Sequence, residues 1–332
     1  MYQIFDLLID SNIPLKELPE TGQGNTSFIF RLSANLQSIA SETDWFHHMR
    51  CAGDKIILSC GRVGKKYHLQ FPEVADFLIA GNGREILCHR KHDVSEETVR
   101  HLLLDQVIPR MLGQQGRLIL HASAVVLPNG KGVIFLGDSG YGKSTIASSF
   151  YEHSSRLITD DCLLIQTGEN SVWCVPNYHG LRLFNDSARA IFSKNYSFSN
   201  VAHYSQKKRV LLDQDDSNKS SSKVKLDAIF LLGDPALNLR SKGVKIKLIR
   251  GANEMMALIK QMFVLDVTDK KLLACQFENV AKIVAVDLPI YRLDYPHDHS
   301  YLPTVRNAVK DILSQKEGLS QRVEIPSGRD TS

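Results

Sequence analysis

Apolar residues in the first third of the chain fall in short runs separated by turn residues. Lys55-Ile-Ile-Leu-Ser59, Tyr67-His-Leu-Gln-Phe71, Phe77-Leu-Ile-Ala80 and Arg84-Glu-Ile-Leu87 have strand length, and Gly81-Asn82-Gly83 between the last two is a turn signal. A small, largely antiparallel sheet is expected. Val99, Leu102, Leu103, Val107 and Ile108 then recur at helical spacing behind Ser95, an N-cap residue, and Gly113-Gln-Gln-Gly116 should end that helix. Residues 1–115 are therefore read as a smaller, mixed α+β N-terminal domain, suited to acceptor recognition.

Beyond residue 115 the pattern changes. Strand-like runs (118–120, 132–137, 156–160, 228–232, 244–249, 289–293) alternate with helical ones (143–152, 251–263, 270–282, 302–315). Such alternation predicts an α/β domain over 116–315. The Asp- and Ser-rich segment 213–225 and the polar end from Lys316 to 332 are expected to be loops or disordered.

Composition narrows the partners. The chain has 332 residues, 43% hydrophobic, and a formal net charge of only +4, too mild to argue for a nucleic-acid partner. No apolar run reaches the ~20 residues that span a bilayer. Six widely spaced cysteines, and a start that lacks the basic and apolar regions of a signal peptide, fit reduced thiols and a cytoplasmic address.

The candidate chemistry begins at Gly137-Asp138-Ser139-Gly140-Tyr141-Gly142-Lys143-Ser144-Thr145, which satisfies G-x-x-x-x-G-K-[ST]. The glycines let backbone amides turn inward around phosphate oxygens, and the following helix aims its positive end at the same charge. Lys143 supplies a cation for the outer phosphates, and the Ser144 hydroxyl is a magnesium ligand. An apolar strand enters this loop and a helix-capable stretch leaves it, which is the context the motif requires. ATP or GTP with Mg2+ is the expected ligand. Asp160-Asp161 follows the next apolar run. Two adjacent carboxylates there need a metal or hydrogen-bonding partners, and alternation along a strand would send them in opposite directions.

The run from His121 to Ile165 resembles the kinase domain of HPr kinase/phosphorylase. It has a His-containing strand, a G-D-S-G-x-G-K-S loop and an R-L-x-x-D-D block, here Arg156-Leu157-Ile158-Thr159-Asp160-Asp161. The resemblance implies the phosphoenolpyruvate carboxykinase-type α/β fold and transfer of a γ-phosphoryl group to a hydroxyl. It implies Asp160 as the base and Asp161, with Ser144, as metal ligand, an order that is open to exchange. His121 is implied to orient the acceptor or touch phosphate, and Arg182 to neutralise charge on the transferred group. Thr145 departs from the Glu that the family carries, and its Arg- and Gly-rich downstream signature is echoed only by His179-Gly180-Leu181-Arg182-Leu183. His121-Ala122-Ser123-Ala124 is similar to a stretch in the kinases of lasso-peptide clusters, which modify a precursor's C-terminal serine.

A serine of a peptide or protein is thus the leading acceptor. A small-molecule hydroxyl shares every motif, and an NTP-hydrolysing switch or assembly factor needs no acceptor. The resembled kinase also forms a ring, so a homo-oligomer is an implied partner arrangement. Lys207-Lys208-Arg209 is expected as a solvated charge run.

Overall fold

The computed structural model describes residues 1–33, 42–51, 53–178, 180–192, 196–202, 206–211, 222–238 and 243–320. The architecture is mixed α/β with three sheets. An eight-stranded sheet takes the order Tyr2–Ile4, Leu7–Ser11, Phe28–Leu32, Glu85–Arg90, Ala75–Ile79, Lys66–Phe71, Ile56–Val63 and Asp44–Arg50. Its later strands pair antiparallel, as the Gly81–Gly83 turn demands: Gly83 N–H closes the turn on the Ala80 carbonyl at 2.7 Å. Phe28–Leu32, however, pairs in parallel with both of its neighbours.

The helix expected behind Ser95 is present, with Ser95 Oγ accepting from Thr98 N–H at 3.4 Å. It comprises Glu96–Leu102 and Ile108–Gln114 joined by a π turn, Leu103–Val107. Pro109 accounts for the irregularity, because it has no N–H to give the carbonyl of Asp105 four residues back.

The second sheet carries the phosphate-loop strand Gly132–Leu136 near its middle. On one side lie Ala122–Val126 and Arg156–Thr159, both antiparallel pairings. On the other lies Val224–Leu232, parallel to it, with Ile134 opposite Ile229. Val224–Leu232 is the hub. One end pairs with Val172–Val175, which leads on to Leu163–Thr167 and Leu118–Leu120; the other pairs with Ile290–Asp294, which takes Lys245–Ile249. The sheet is mixed, whereas βα alternation alone would have given a parallel one.

A small third sheet orders Leu181–Leu183, Lys208–Leu211 and Ser197–Asn200. Lys208 and Arg209 of the basic run are therefore strand residues. Arg209 is mostly buried on Glu17 at 2.6 Å, so a solvated run is not what the sequence builds here. Segment 212–221 lies outside the described residues, and Val224 and Lys225, expected in a loop, belong to the hub strand. The closing helix is Leu302–Ser320, longer than the expected 302–315; residues 321–332 are outside the described set.

Phe135 lies between Phe150 and Phe230, at ring separations of 5.6 and 5.8 Å. That packing fixes the helix behind the loop to the sheet. The apolar core of the N-terminal sheet continues into Ile119, Cys162, Leu164, Val175, Tyr178, Phe263 and Leu265.

Candidate active site

The loop Gly137–Gly142 joins Gly132–Leu136 to the helix Lys143–Tyr151. Gly142 has φ 91°, a left-handed conformation open to glycine at little cost. A Cβ there would also sit 2.9 Å from Tyr295 Oη and 3.1 Å from His297 Nε2. The backbone and the opposite wall of the cleft thus both require glycine. No side chain caps this helix, so its first-turn N–H groups remain available to an anion.

Lys143 is buried. Its Nζ donates to the carbonyls of Gly137 at 2.6 Å and Asp138 at 3.1 Å. Burial pulls its pKa down to about 8 against the opposing pull of Asp161 and Asp160. An ammonium parked on loop carbonyls, beside uncapped amides, is a site built for a multiply charged anion.

The two acids separate sharply. Asp160 ends the strand Arg156–Thr159 and is 2% exposed. Its Oδ1 accepts from Ser123 Oγ and, at 2.9 Å, from Ser144 Oγ, while its Oδ2 accepts from Arg182 N–H at 3.1 Å. Burial and the neighbouring Asp161 charge push its pKa up to about 6. Asp161 sits at φ 70°, a turn out of the strand that directs it into the cleft. Arg182 Nη1 donates to its Oδ2, and His121 Nε2 is 3.8 Å from its Oδ1. Burial alone would raise the Asp161 pKa; Arg182, Lys207, His121 and Lys143 outweigh it and hold the carboxyl well below the usual range. The acid beside Ser144 is therefore Asp160, not Asp161.

His121 stacks on Phe263 at 6.0 Å, and burial with the Lys143 charge pulls its pKa to about 4, so it is neutral at pH 7. Arg182 is 1% exposed and meets acids at both terminal nitrogens, while its Nε has no hydrogen-bond partner among the described residues: Nη2 reaches both oxygens of Asp105 at 2.9 Å. It braces the acid pair from beneath more than it faces the cleft. Asp138 Oδ1 accepts from Gln261 Nε2 at 3.2 Å, and Tyr141 N–H donates to the Asp138 carbonyl at 3.2 Å, which ties the loop's outer edge. Thr145 Oγ1 bonds Ser187 Oγ at 3.4 Å, and His299 Nε2 meets the same hydroxyl at 3.1 Å.

Ser139, Gly140, Gly142, Lys143, Ser144, Thr145, His121, Asp161 and Arg182 all line one open cleft. Lys207, Phe184, Tyr295, His297 and His299 line it too, and none of them stood out in the sequence as site residues. Lys207, whose Nζ lies 5.7 Å from the Phe184 ring centroid, was visible only as part of a basic run. His179 lies outside the described residues.

The oxygen donors Ser144 Oγ and Asp160 Oδ1 are of the hard type that magnesium takes, while the imidazoles of His121, His297 and His299 line the same cleft away from that pair of oxygens. Among the described residues no group of three or more His, Cys, Asp and Glu is arranged to hold a metal. Magnesium that shares its shell with phosphate and water needs no such cage. Among the described residues, too, no helix is long and apolar enough to cross a membrane.

No protein-family model matches the chain, and no curated protein sequence matches it. Among solved structures, the Hpr(Ser) kinase/phosphatase from Coxiella burnetii is similar at 10% sequence identity. That match covers 60% of this chain and 98% of the other, with a TM-score of 0.32. At that score the likeness bears on neither residue roles nor chemistry.

Proposed function

We propose that the chain transfers the terminal phosphoryl group of ATP to a hydroxyl, with a serine of a peptide or protein as the favoured acceptor. One observation carries this reading. A phosphate loop opens onto a cleft lined by one acid, Asp161, while a second, Asp160, is buried behind it and bonded to the loop serine.

The roles follow from position. The loop amides and Lys143 hold the phosphates, with Lys207 as a second cation across the cleft. Ser144 and Asp160 would hold magnesium, whose chemistry there is neutralisation of charge spread over the outer phosphates. The acceptor oxygen bonds to the terminal phosphorus, the bond to the nucleoside diphosphate breaks, and the hydroxyl proton passes to a base. By proton affinity alone Asp160 is the better base. It is, however, closed off behind Ser123 and Ser144, and a base must reach the proton it takes. Access to the cleft favours Asp161 as the base and Asp160 as the metal ligand, the exchange of roles that the resemblance left open. The ionised form that Arg182 holds is the form able to accept a proton. Neutral His121 stands next to Asp161 to orient the acceptor or pass the proton on, and Arg182 keeps Asp161 in place.

The test uses ATP labelled in the terminal phosphate, with serine peptides, polyols and no acceptor in parallel. Label should appear on a hydroxyl compound, at a rate set by that compound. Asp161→Asn should remove transfer and keep magnesium-ATP affinity, whereas Asp160→Asn should weaken the magnesium-dependent part of binding. Phosphate release that no hydroxyl compound alters would overturn the kinase reading in favour of a nucleotide-hydrolysing switch. GTP in place of ATP tests the choice of nucleotide.

A further inference from the structure

The chain reaches Asp105 long before it reaches the loop, yet Asp105 lies under the acids. It is 2% exposed in the π turn, and four groups converge on it. Arg182 Nη2 donates to its carboxylate at 2.9 Å, the Tyr178 hydroxyl donates to Oδ1, and His101 Nδ1 lies 2.8 Å from Oδ2. The fourth is Cys162, whose thiol points at the Asp105 carbonyl at 3.6 Å, the carbonyl that Pro109 leaves without its α-helical partner. Both residues that flank Asp161 in space, Arg182 by its ion pair and Cys162 by the chain, are thus tied to Asp105. The same helix supports the cleft a second time. Arg110 lies over the Phe263 ring at 5.2 Å, Phe263 stacks on His121, and Gly113 lets the helix approach so closely that a Cβ would be 2.3 Å from the Phe263 carbonyl oxygen.

We infer that Asp105 is a positioning residue for the phosphoryl-transfer site: it fixes the guanidinium of Arg182, and through it the carboxylate of Asp161. This rests on the reading of the cleft given above. The physical case is one of matching. An arginine buried at 1% needs its charge met on both sides, and a single carboxylate leaves half of the fork free to turn. Two acids on opposite edges, Asp105 and Asp161, leave it one orientation. The N-terminal segment is then part of the active site and not an appended recognition unit.

Asp105→Asn keeps size and two hydrogen-bonding atoms but removes the charge. Turnover of magnesium-ATP, measured as phosphate released to water with no other acceptor, should fall by about 10²-fold in kcat with KM for ATP unchanged, the effect expected of a base displaced by about 1 Å. Arg100→Gln is the control. It breaks another buried pair, Arg100 with Glu17 at 2.9 Å, away from the acids, and should lower Tm without touching kcat. Independently of any activity, side-chain nitrogen NMR should show the Arg182 guanidinium held rigid in the wild type and freed in Asp105→Asn. If Asp105→Asn does not fold, Tyr178→Phe, which removes one bond that orients the Asp105 carboxylate, should lower kcat with KM fixed. Equal behaviour of Asp105→Asn and Arg100→Gln, or an Arg182 that stays rigid in Asp105→Asn, overturns the inference. Absence of ATP binding and turnover in the wild type would overturn the kinase reading instead, and the NMR result would still judge Asp105.

Discussion

The N-terminal sheet and the loop-bearing sheet are both well packed, but they place charge differently. Two ion pairs on the first stand in water: Arg31 with Asp10 has side chains 36% and 40% exposed, and Arg50 with Asp54 has 45% and 83%. Pairs like these contribute about 0–1 kcal/mol. Around the loop, Ser123, Lys143, Asp160 and Arg182 are all 5% exposed or less. Burying charged groups costs several kcal/mol each before partners offset it, and the hydrogen bonds of Lys143 go to carbonyls, with Asp161 and Asp160 acting on it from farther off. Charge placed at that cost, with its donors aimed at a cleft, marks chemistry; charge left in water marks solubility. The N-terminal side departs from this at His68 with Asp76, at Arg100 with Glu17, and at Asp105, which reaches the acids through Arg182.

Substitution tests that contrast. Phe77→Ala in the first sheet and Phe135→Ala in the second should each cost about 3–5 kcal/mol, read as the denaturant midpoint. Nucleotide affinity per folded molecule should change only for Phe135→Ala, because Phe135 backs the loop helix. Next in size, Lys143→Ala should weaken nucleotide binding by about 10²-fold, the loss of a charge-assisted bond. Its Tm should stay level or rise, because an under-partnered buried cation is gone. Arg31→Ala should alter neither affinity nor stability by more than about 1 kcal/mol. Calorimetric titration and a melt of the same samples decide this, and a Lys143→Ala protein that melts early yet binds normally would reverse the comparison. Gly142→Ala should cost about 1–2 kcal/mol from the left-handed backbone alone, with Tyr295 and His297 displaced from the cleft wall.

The smallest effect is a proton. Burial holds Lys143 at about 8, so above pH 8 part of the population is neutral. Phosphate favours the charged form and raises that pKa, so nucleotide binding there should take up a fraction of a proton. Titration in two buffers of different ionisation enthalpy reads the number, and proton release would contradict the burial of Lys143.

Much of the second region was legible in sequence because the motif makes its neighbours obligatory. A strand must deliver the loop and a helix must leave it, and Gly132–Leu136 and Lys143–Tyr151 do so. Ser95, the Gly81–Gly83 turn and the strands around it were equally local signals. What escaped was non-local or unpatterned. Asp44–Arg50 has no clean alternation and sits half exposed at a sheet edge. Of the two parallel pairings of Phe28–Leu32, the one with Glu85–Arg90 joins segments more than fifty residues apart, and no periodicity announces either. Asp105 reaches Arg182 across 77 positions, and in the sequence it reads as an ordinary polar residue on a helix. Assigning Asp160 and Asp161 needed the turn at Asp161, because strand alternation fixes opposite directions and not which acid meets Ser144.

The apolar core that runs from Ile4 through Leu112 into Cys162, Phe263 and Leu265 also has a bearing on synthesis. On the ribosome the amino-terminal sheet emerges first, with one greasy flank that its own residues do not cover. At ordinary elongation speeds the segments that cover it arrive on the order of ten seconds later. For that interval the flank stays exposed, and a stop codon placed after residue 115 should make the exposure permanent.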